Sequence, residues 1–155
     1  MVTVRRLAGF TLVELMVALA VAAILAGLAA PSFSEMIANQ RAKSVATDLY
    51  IALTKARSEA LKRNVSVSLT PKTADQWHGG WQILDPADST RALHARGAAA
   101  GVAIDGPDEV TYRSSGRLDA GTAPSFDVTA SGASYHWCIS VDLSGRPYTE
   151  KKATC

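Results

Sequence analysis

Two hydrophobic patterns divide the chain. From Phe10 to Ala30 it reads FTLVELMVALAVAAILAGLAA, 21 residues broken only by the charge of Glu14 and the hydroxyl of Thr11. At about 1.5 Å per residue, such a helix is about 30 Å long, the thickness of a hydrocarbon core. Beyond Pro31 the pattern becomes amphipathic. Ile37, Ala38, Val45, Leu49, Ala52, Leu53, Ala56 and Ala60 recur at steps of three and four and define one buried face. Arg41, Lys43, Lys55, Arg57, Glu59, Lys62 and Arg63 fall mostly on the other. Pro31 predicts a kink, and Ser32-Phe33-Ser34-Glu35 has the spacing of a capping box that restarts the helix. Lys62 and Arg63 suit the negative end of the helix dipole, and Asn64 is the expected stop. The pattern predicts one helix of about 55 residues, kinked near Pro31.

After Asn64 the period falls to two. Val65, Val67 and Leu69 alternate with Ser66, Ser68 and Thr70, a half-buried strand. Further strands are expected at Trp81–Leu84, Val102–Ile104, Val110–Tyr112, Ser125–Thr129 and Tyr135–Val141. Turns are expected at Asp105-Gly106-Pro107, Ser115-Gly116 and Ser144-Gly145. The stretch from Asp85 to Gly101, polar and then rich in alanine and glycine, reads as a mobile loop. Strands that follow a helix in a run, rather than alternating with helices, imply an α+β fold with an antiparallel sheet. At 155 residues there is room for one modest domain, and no internal repeat or linker interrupts it.

Charge adds little. The formal net charge is +2, but Arg5 and Arg6 precede the apolar run; without them 14 basic side chains face 14 acidic ones. A nucleic-acid role would therefore need a local patch, and the basic residues on the helix are interrupted by Glu35, Asp48 and Glu59. No catalytic constellation, phosphate loop or dinucleotide fingerprint is present, which implies no enzyme, no cofactor and no small-molecule substrate. His78, His94 and His136 are scattered without ligand spacing, and Asp105, Asp108 and Glu109 read as a solvated turn, so no metal site is expected. Cys138 and Cys155 are the two cysteines; behind an export segment they are expected to form a disulfide.

Three readings of the N-terminus compete. A secretory signal peptide would place a cut near Gly27–Ala30, but the apolar run is long for one and Pro31 crowds the cut. A plain membrane anchor is the second. Both leave Glu14 unexplained, and a charge at the centre of a spanning helix costs about 2.5–3.5 kcal/mol on insertion scales. The third reading rests on Gly9-Phe10-Thr11-Leu12-Val13-Glu14, which resembles the signal of type IV prepilins and pseudopilins. That resemblance implies cleavage after Gly9 by a prepilin peptidase and N-methylation of Phe10. It also implies a role for Glu14 in pairing with the cationic N-terminus of a neighbouring subunit. The boundaries it implies are a leader at 1–9, a transmembrane, filament-core segment at 10–30 and a globular domain at 31–155. Arg5 and Arg6 ahead of the span orient that domain to the periplasmic side of a bacterial inner membrane. Ala18, Ala20, Ala22, Ala23, Ala26, Gly27, Ala29 and Ala30 permit close helix packing there.

Downstream, several features resemble the GspH/FimT branch of pilin-like proteins. They are Ala56-Arg57-Ser58-Glu59-Ala60, Arg63-Asn64 before an alternating strand, Trp77…Gly80-Trp81, and a cysteine strand leading to Gly145-Arg146 and a final cysteine. The resemblance implies a pilin-like fold and a minor pilin in a hetero-oligomeric filament, at or near its tip. The alternative is a minor pseudopilin of type II secretion. Some members of the branch take up DNA through a C-terminal Gly-Arg-x-Arg motif. Here the second arginine is Tyr148, so Arg146 with Lys151 and Lys152 would have to give weak, non-specific contact with duplex phosphates.

Overall fold

The computed structural model describes residues 10–155; Gly9 and the two leader arginines lie outside them. Helix α1 runs from Leu12 to Arg63, 52 residues. The chain divides into two compact units between Ser34 and Glu35. In the first, every described side chain from Phe10 to Gly27 is exposed. This part of α1 is long and apolar enough to cross a membrane.

The helix begins on Thr11. Its Oγ1 accepts a hydrogen bond from the backbone N–H of Glu14 at 3.2 Å, and its carbonyl accepts from Leu15 N–H at 3.1 Å. Thr11 is thus the N-cap and Glu14 the third helical residue, the T-x-x-E spacing of a capping box. The expected restart at Ser32 does not occur. The helix is assigned through Pro31 and Ser32, so the Ser32–Glu35 spacing caps nothing. At the far end Asn64 takes the left-handed conformation (φ 56°) and stops the helix as expected.

In the second unit α1 packs on two antiparallel sheets. The strands are β1 Val67–Pro71, β2 Trp81–Asp85, β3 Asp88–Ala95, β4 Val102–Asp105, β5 Val110–Tyr112, β6 Ser125–Ala130, β7 His136–Val141 and β8 Pro147–Lys152. The first sheet has the order β3-β2-β1-β5, the second β4-β6-β7-β8. The sequence leaves the number of sheets and the strand order open; the fold has two. The stretch after Asp85, expected as a mobile loop, instead contains β3, which pairs with β2 with a register shift on either side of Leu84.

The helix face that meets the sheets is nearly the expected one. Ala38, Val45, Leu49, Ala52, Leu53, Ala56 and Ala60 are buried, together with Ala42 and Ala46. Ile37 is not: it is 43% exposed. Small residues let the helix axis approach the sheets closely, and larger groups from the strands fill the space. Trp77, Trp81, Tyr112 and Phe126 are the largest fully buried side chains. Trp77 sits in a 3-10 turn, Trp77–Gly79, meets Phe126 edge-on at 4.9 Å, and donates its indole N–H to the Pro107 carbonyl at 2.7 Å. That bond satisfies the polar atom an indole would otherwise bury at a cost.

Candidate functional site

Two regions carry the residues singled out by the sequence: the exposed start of α1 and the C-terminal clip. At the first, Phe10 is 71% exposed and Glu14 is exposed one turn into the helix. Burial within the chain explains none of these apolar side chains. The carboxylate of Glu14 lies in the first turn, where the positive end of the helix dipole favours an anion. Thr11, in the sequence only a member of the motif, is the N-cap of the helix. It was visible as the first member of a capping box within the same motif.

The late-helix motifs prove to be struts. Arg57 donates from Nε to the Gly116 carbonyl at 3.0 Å and from an Nη to the Ser144 carbonyl at 3.3 Å, fastening two turns to the helix. Arg63 donates to Glu59 at 2.6 Å and to Asp85 at 2.9 Å, tying the helix end to β2. The hydrogen bond from Arg63 holds the Glu59 carboxyl below its usual range. Asp85 is buried, so this pairing offsets the desolvation of its charge.

The clip is the β7–β8 hairpin and the tail beyond it. Asp142 organises the turn: its carboxylate accepts from the Ser144 hydroxyl at 2.6 Å and the Arg146 backbone N–H at 2.9 Å. These bonds, the hydroxyl's first, keep the Asp142 carboxyl below its usual range. Gly145 has φ 84° and donates its N–H to the Asp142 carbonyl at 2.8 Å. Past Lys152 the tail returns over the sheet, and Cys155 is bonded to Cys138 with a Cα–Cα distance of 5.5 Å. The disulfide expected from the sequence is present.

Lys151 and Lys152, grouped in the sequence with Arg146 as candidate phosphate contacts, lie on β8. Neighbouring residues of a strand point to opposite faces. Lys151 stands opposite Trp137 and lies over the ring of Tyr135, 3.4 Å from its centroid. Lys152 stands opposite His136 and is paired with Glu150 at 2.5 Å, which raises the lysine's pKa. Arg146 is exposed at the hairpin end. Lys151 and Lys152 leave β8 on opposite faces. Charged side chains on β8, an edge strand, also have a simpler use, since they discourage edge-to-edge pairing with another chain.

Replacing both cysteines by alanine should lower the unfolding free energy by about 3 kcal/mol, the chain-entropy value for a loop near this length. Urea unfolding of the full chain in detergent, followed by tryptophan fluorescence, would measure it. A loss under about 0.5 kcal/mol, the scale of an ordinary surface substitution, would mean the tail is held without the bond.

The family described as Type II transport protein GspH matches residues 45–145, and the prokaryotic N-terminal methylation motif matches residues 4–30. No individual curated protein matches the chain significantly. Among solved structures, two crystal forms of the type IV minor pilin FimU of Pseudomonas aeruginosa (strain PAO1) share its fold. One aligns with a TM-score of 0.61 over 70% of this chain and 91% of FimU, the other with 0.63 over 76% and 92%, both at 22% identity. Helix, sheets and family match agree: the chain belongs to the GspH family, carries its N-terminal methylation motif, and has the pilin fold implied by its resemblance to GspH/FimT proteins.

Proposed function

We propose that this chain is a minor type IV pilin, anchored in the bacterial inner membrane by residues 10–30 and built into a filament after cleavage following Gly9. The carrying observation is the first turn of α1: a carboxylate, Glu14, on an exposed apolar helix inside a matched methylation motif. Such a helix needs an apolar surrounding, first lipid and then neighbouring helices of the same kind. Its acid needs a counter-charge, which the free amine of Phe10 on an adjacent subunit supplies once the leader is gone. The globular part, residues 31–155, is then presented on the periplasmic side, and its role is structural, with no catalytic step. A prepilin peptidase and the other pilins of the filament are the partners. The fold shared with FimU supports the pilus branch.

The family description favours a second reading, a minor pseudopilin of type II secretion. Both readings use the same first turn and differ in the filament it enters. DNA contact forms no part of the proposal: Lys151 and Lys152 leave β8 on opposite faces and lie against Tyr135 and Glu150 respectively.

One experiment tests the proposal. Intact mass spectrometry of the chain from membranes and from sheared surface pili should give N-methyl-Phe10 as the mature start in both fractions. A start near Ala30 or Pro31 would overturn the pilin reading. The same processed chain confined to membranes, with loss of protein secretion but not of pili on deletion, would replace the pilus with the secretion pseudopilus.

A further inference from the structure

The outward face of the second sheet gathers a set of side chains remote in sequence from the first turn of α1. His136 and Cys138 are two residues apart on β7 and so share a face. Asp127 on β6 stands directly opposite Cys138 in the strand register, and its carboxylate oxygens lie 2.7 and 2.9 Å from Nδ1 of His136. The tail brings Cys155 to the same place. Ligand atoms of Asp127, His136 and Cys155 all fall within 4.8 Å of one another, and the sulfur of Cys138 is bonded to that of Cys155.

While the disulfide is closed, neither sulfur is a metal donor, because a metal ligand must be a thiolate. With the bond open, the site offers two thiolates, one imidazole and one carboxylate. Four donors of that mixture suit tetrahedral Zn²⁺ better than the hard oxygen-seeking cations. We propose that the dithiol form of this protein binds Zn²⁺ through Cys138, Cys155, His136 and Asp127, so that the C-terminal tail is clipped to the sheet either by a disulfide or by a metal ion.

The geometry needs only a local adjustment. With Zn–S near 2.3 Å and Zn–N near 2.0–2.1 Å, the edges of the tetrahedron are roughly 3.3–3.8 Å. The two sulfurs must therefore part from the ~2 Å of a disulfide to about 3.8 Å, an opening of roughly 1.7 Å. Cys155 lies beyond the last strand and is exposed, so it can supply most of that opening; Asp127 and His136 sit on paired strands, and their donor atoms, now 2.7 Å apart, must part to about 3.3 Å. Two thiolates and a carboxylate around Zn²⁺ leave one net negative charge; on β8 the site faces Lys152, opposite His136, and Glu150, opposite Cys138, which are paired with each other. The redox step balances as thiol–disulfide exchange. An external dithiol gives two electrons and two protons to the Cys138–Cys155 bond and is left as its own disulfide. Zn²⁺ then displaces the two thiol protons.

The test uses the full chain in detergent, oxidised or reduced with a phosphine that is then removed without air. Zn²⁺ is titrated against a chromophoric chelator, and Co²⁺ serves as the spectroscopic probe. The reduced chain should take up a single Zn²⁺, the oxidised chain none. Its Co²⁺ form should show thiolate charge-transfer bands and the intense d–d bands of a tetrahedral site. His136→Ala and Asp127→Asn should each weaken Zn²⁺ binding by roughly tenfold or more, the scale of losing a ligand or its orienting partner. If reduction loosens the sheet, Zn²⁺ should restore its far-UV circular dichroism. Absence of uptake by the reduced chain would overturn the proposal. So would equal affinity in both variants, an octahedral Co²⁺ spectrum, or a reduced chain left unfolded with Zn²⁺ present.

Discussion

Gly145→Ala should lower the unfolding free energy by about 3 kcal/mol, from two separate causes. The first is backbone strain. At φ 84° the residue lies in the left-handed region, which costs a non-glycine residue roughly 1–2 kcal/mol. The second is the loss of space. A Cβ on Gly145 would fall well inside van der Waals contact of the Gly116 carbonyl oxygen and close to the Tyr112 ring. That carbonyl cannot retreat freely, because Arg57 donates to it at 3.0 Å. Moving it weakens a hydrogen bond from a charged group, worth about 1.5–3 kcal/mol. Gly132→Ala separates the two causes. Gly132 has nearly the same φ, 83°, but a Cβ there meets nothing within 4 Å. Urea unfolding of both variants should therefore show roughly 1–2 kcal/mol lost at position 132 and about twice that at position 145. Equal losses would mean that the close approach of the two turns contributes nothing. A near-zero loss at 145 would show that the hairpin can rearrange around the methyl group.

This changes the meaning of the Gly145-Arg146 pair. In sequence it resembles half of a DNA-contact motif, because only the arginine offers visible chemistry. In the fold the glycine has the sharper requirement: no other residue fits between the hairpin and the Gly116 turn. Lys151 and Lys152, the cations grouped with Arg146, are divided by the strand's alternation, which their neighbouring positions in sequence do not show.

Legibility followed burial. Strands with one wet and one buried face, such as β1 and β6, alternate in hydrophobicity and were readable to within about two residues. The two missed strands, β3 and β8, are both edge strands with almost no buried residue. Their backbone pairing is specified by the neighbouring strand and the turn, so Asp88–Ala95 and Pro147–Lys152 carry no period-two signal. The helix was legible from its apolar steps, except where alanine replaced a larger residue. Ala42 and Ala46 pass for neutral positions but are buried, while Ile37 looks like core and is exposed. His136 shows the remaining limit. It lies nine residues from Asp127 and appeared isolated, yet register across β6 and β7 places the two side chains in contact.

Glu14→Gln should reduce incorporation into filaments by more than tenfold while leaving leader cleavage and the globular fold intact. Two roles for Glu14 must be separated. As the third helical residue after Thr11 it occupies the reciprocal position of a capping box, a local role that glutamine fulfils as well as glutamate. As the counter-charge to the amine of a neighbouring subunit it needs its negative charge, which glutamine lacks. Breaking a buried ion pair by neutralising one partner costs about 3–5 kcal/mol, because the remaining charge is stranded. At about 1.4 kcal/mol per factor of ten, even half that cost exceeds a tenfold loss in association. Thr11→Ala provides the converse. It removes the cap observed at 3.2 Å and keeps the charge, costing about 1 kcal/mol of helix stability and reducing incorporation only a few-fold. The measurement is the amount of each variant in sheared filaments relative to its processed form in membranes. Normal incorporation of Glu14→Gln, with a severe defect in Thr11→Ala, would make Glu14 a local helix-capping residue and remove the charge pairing from the assembly mechanism.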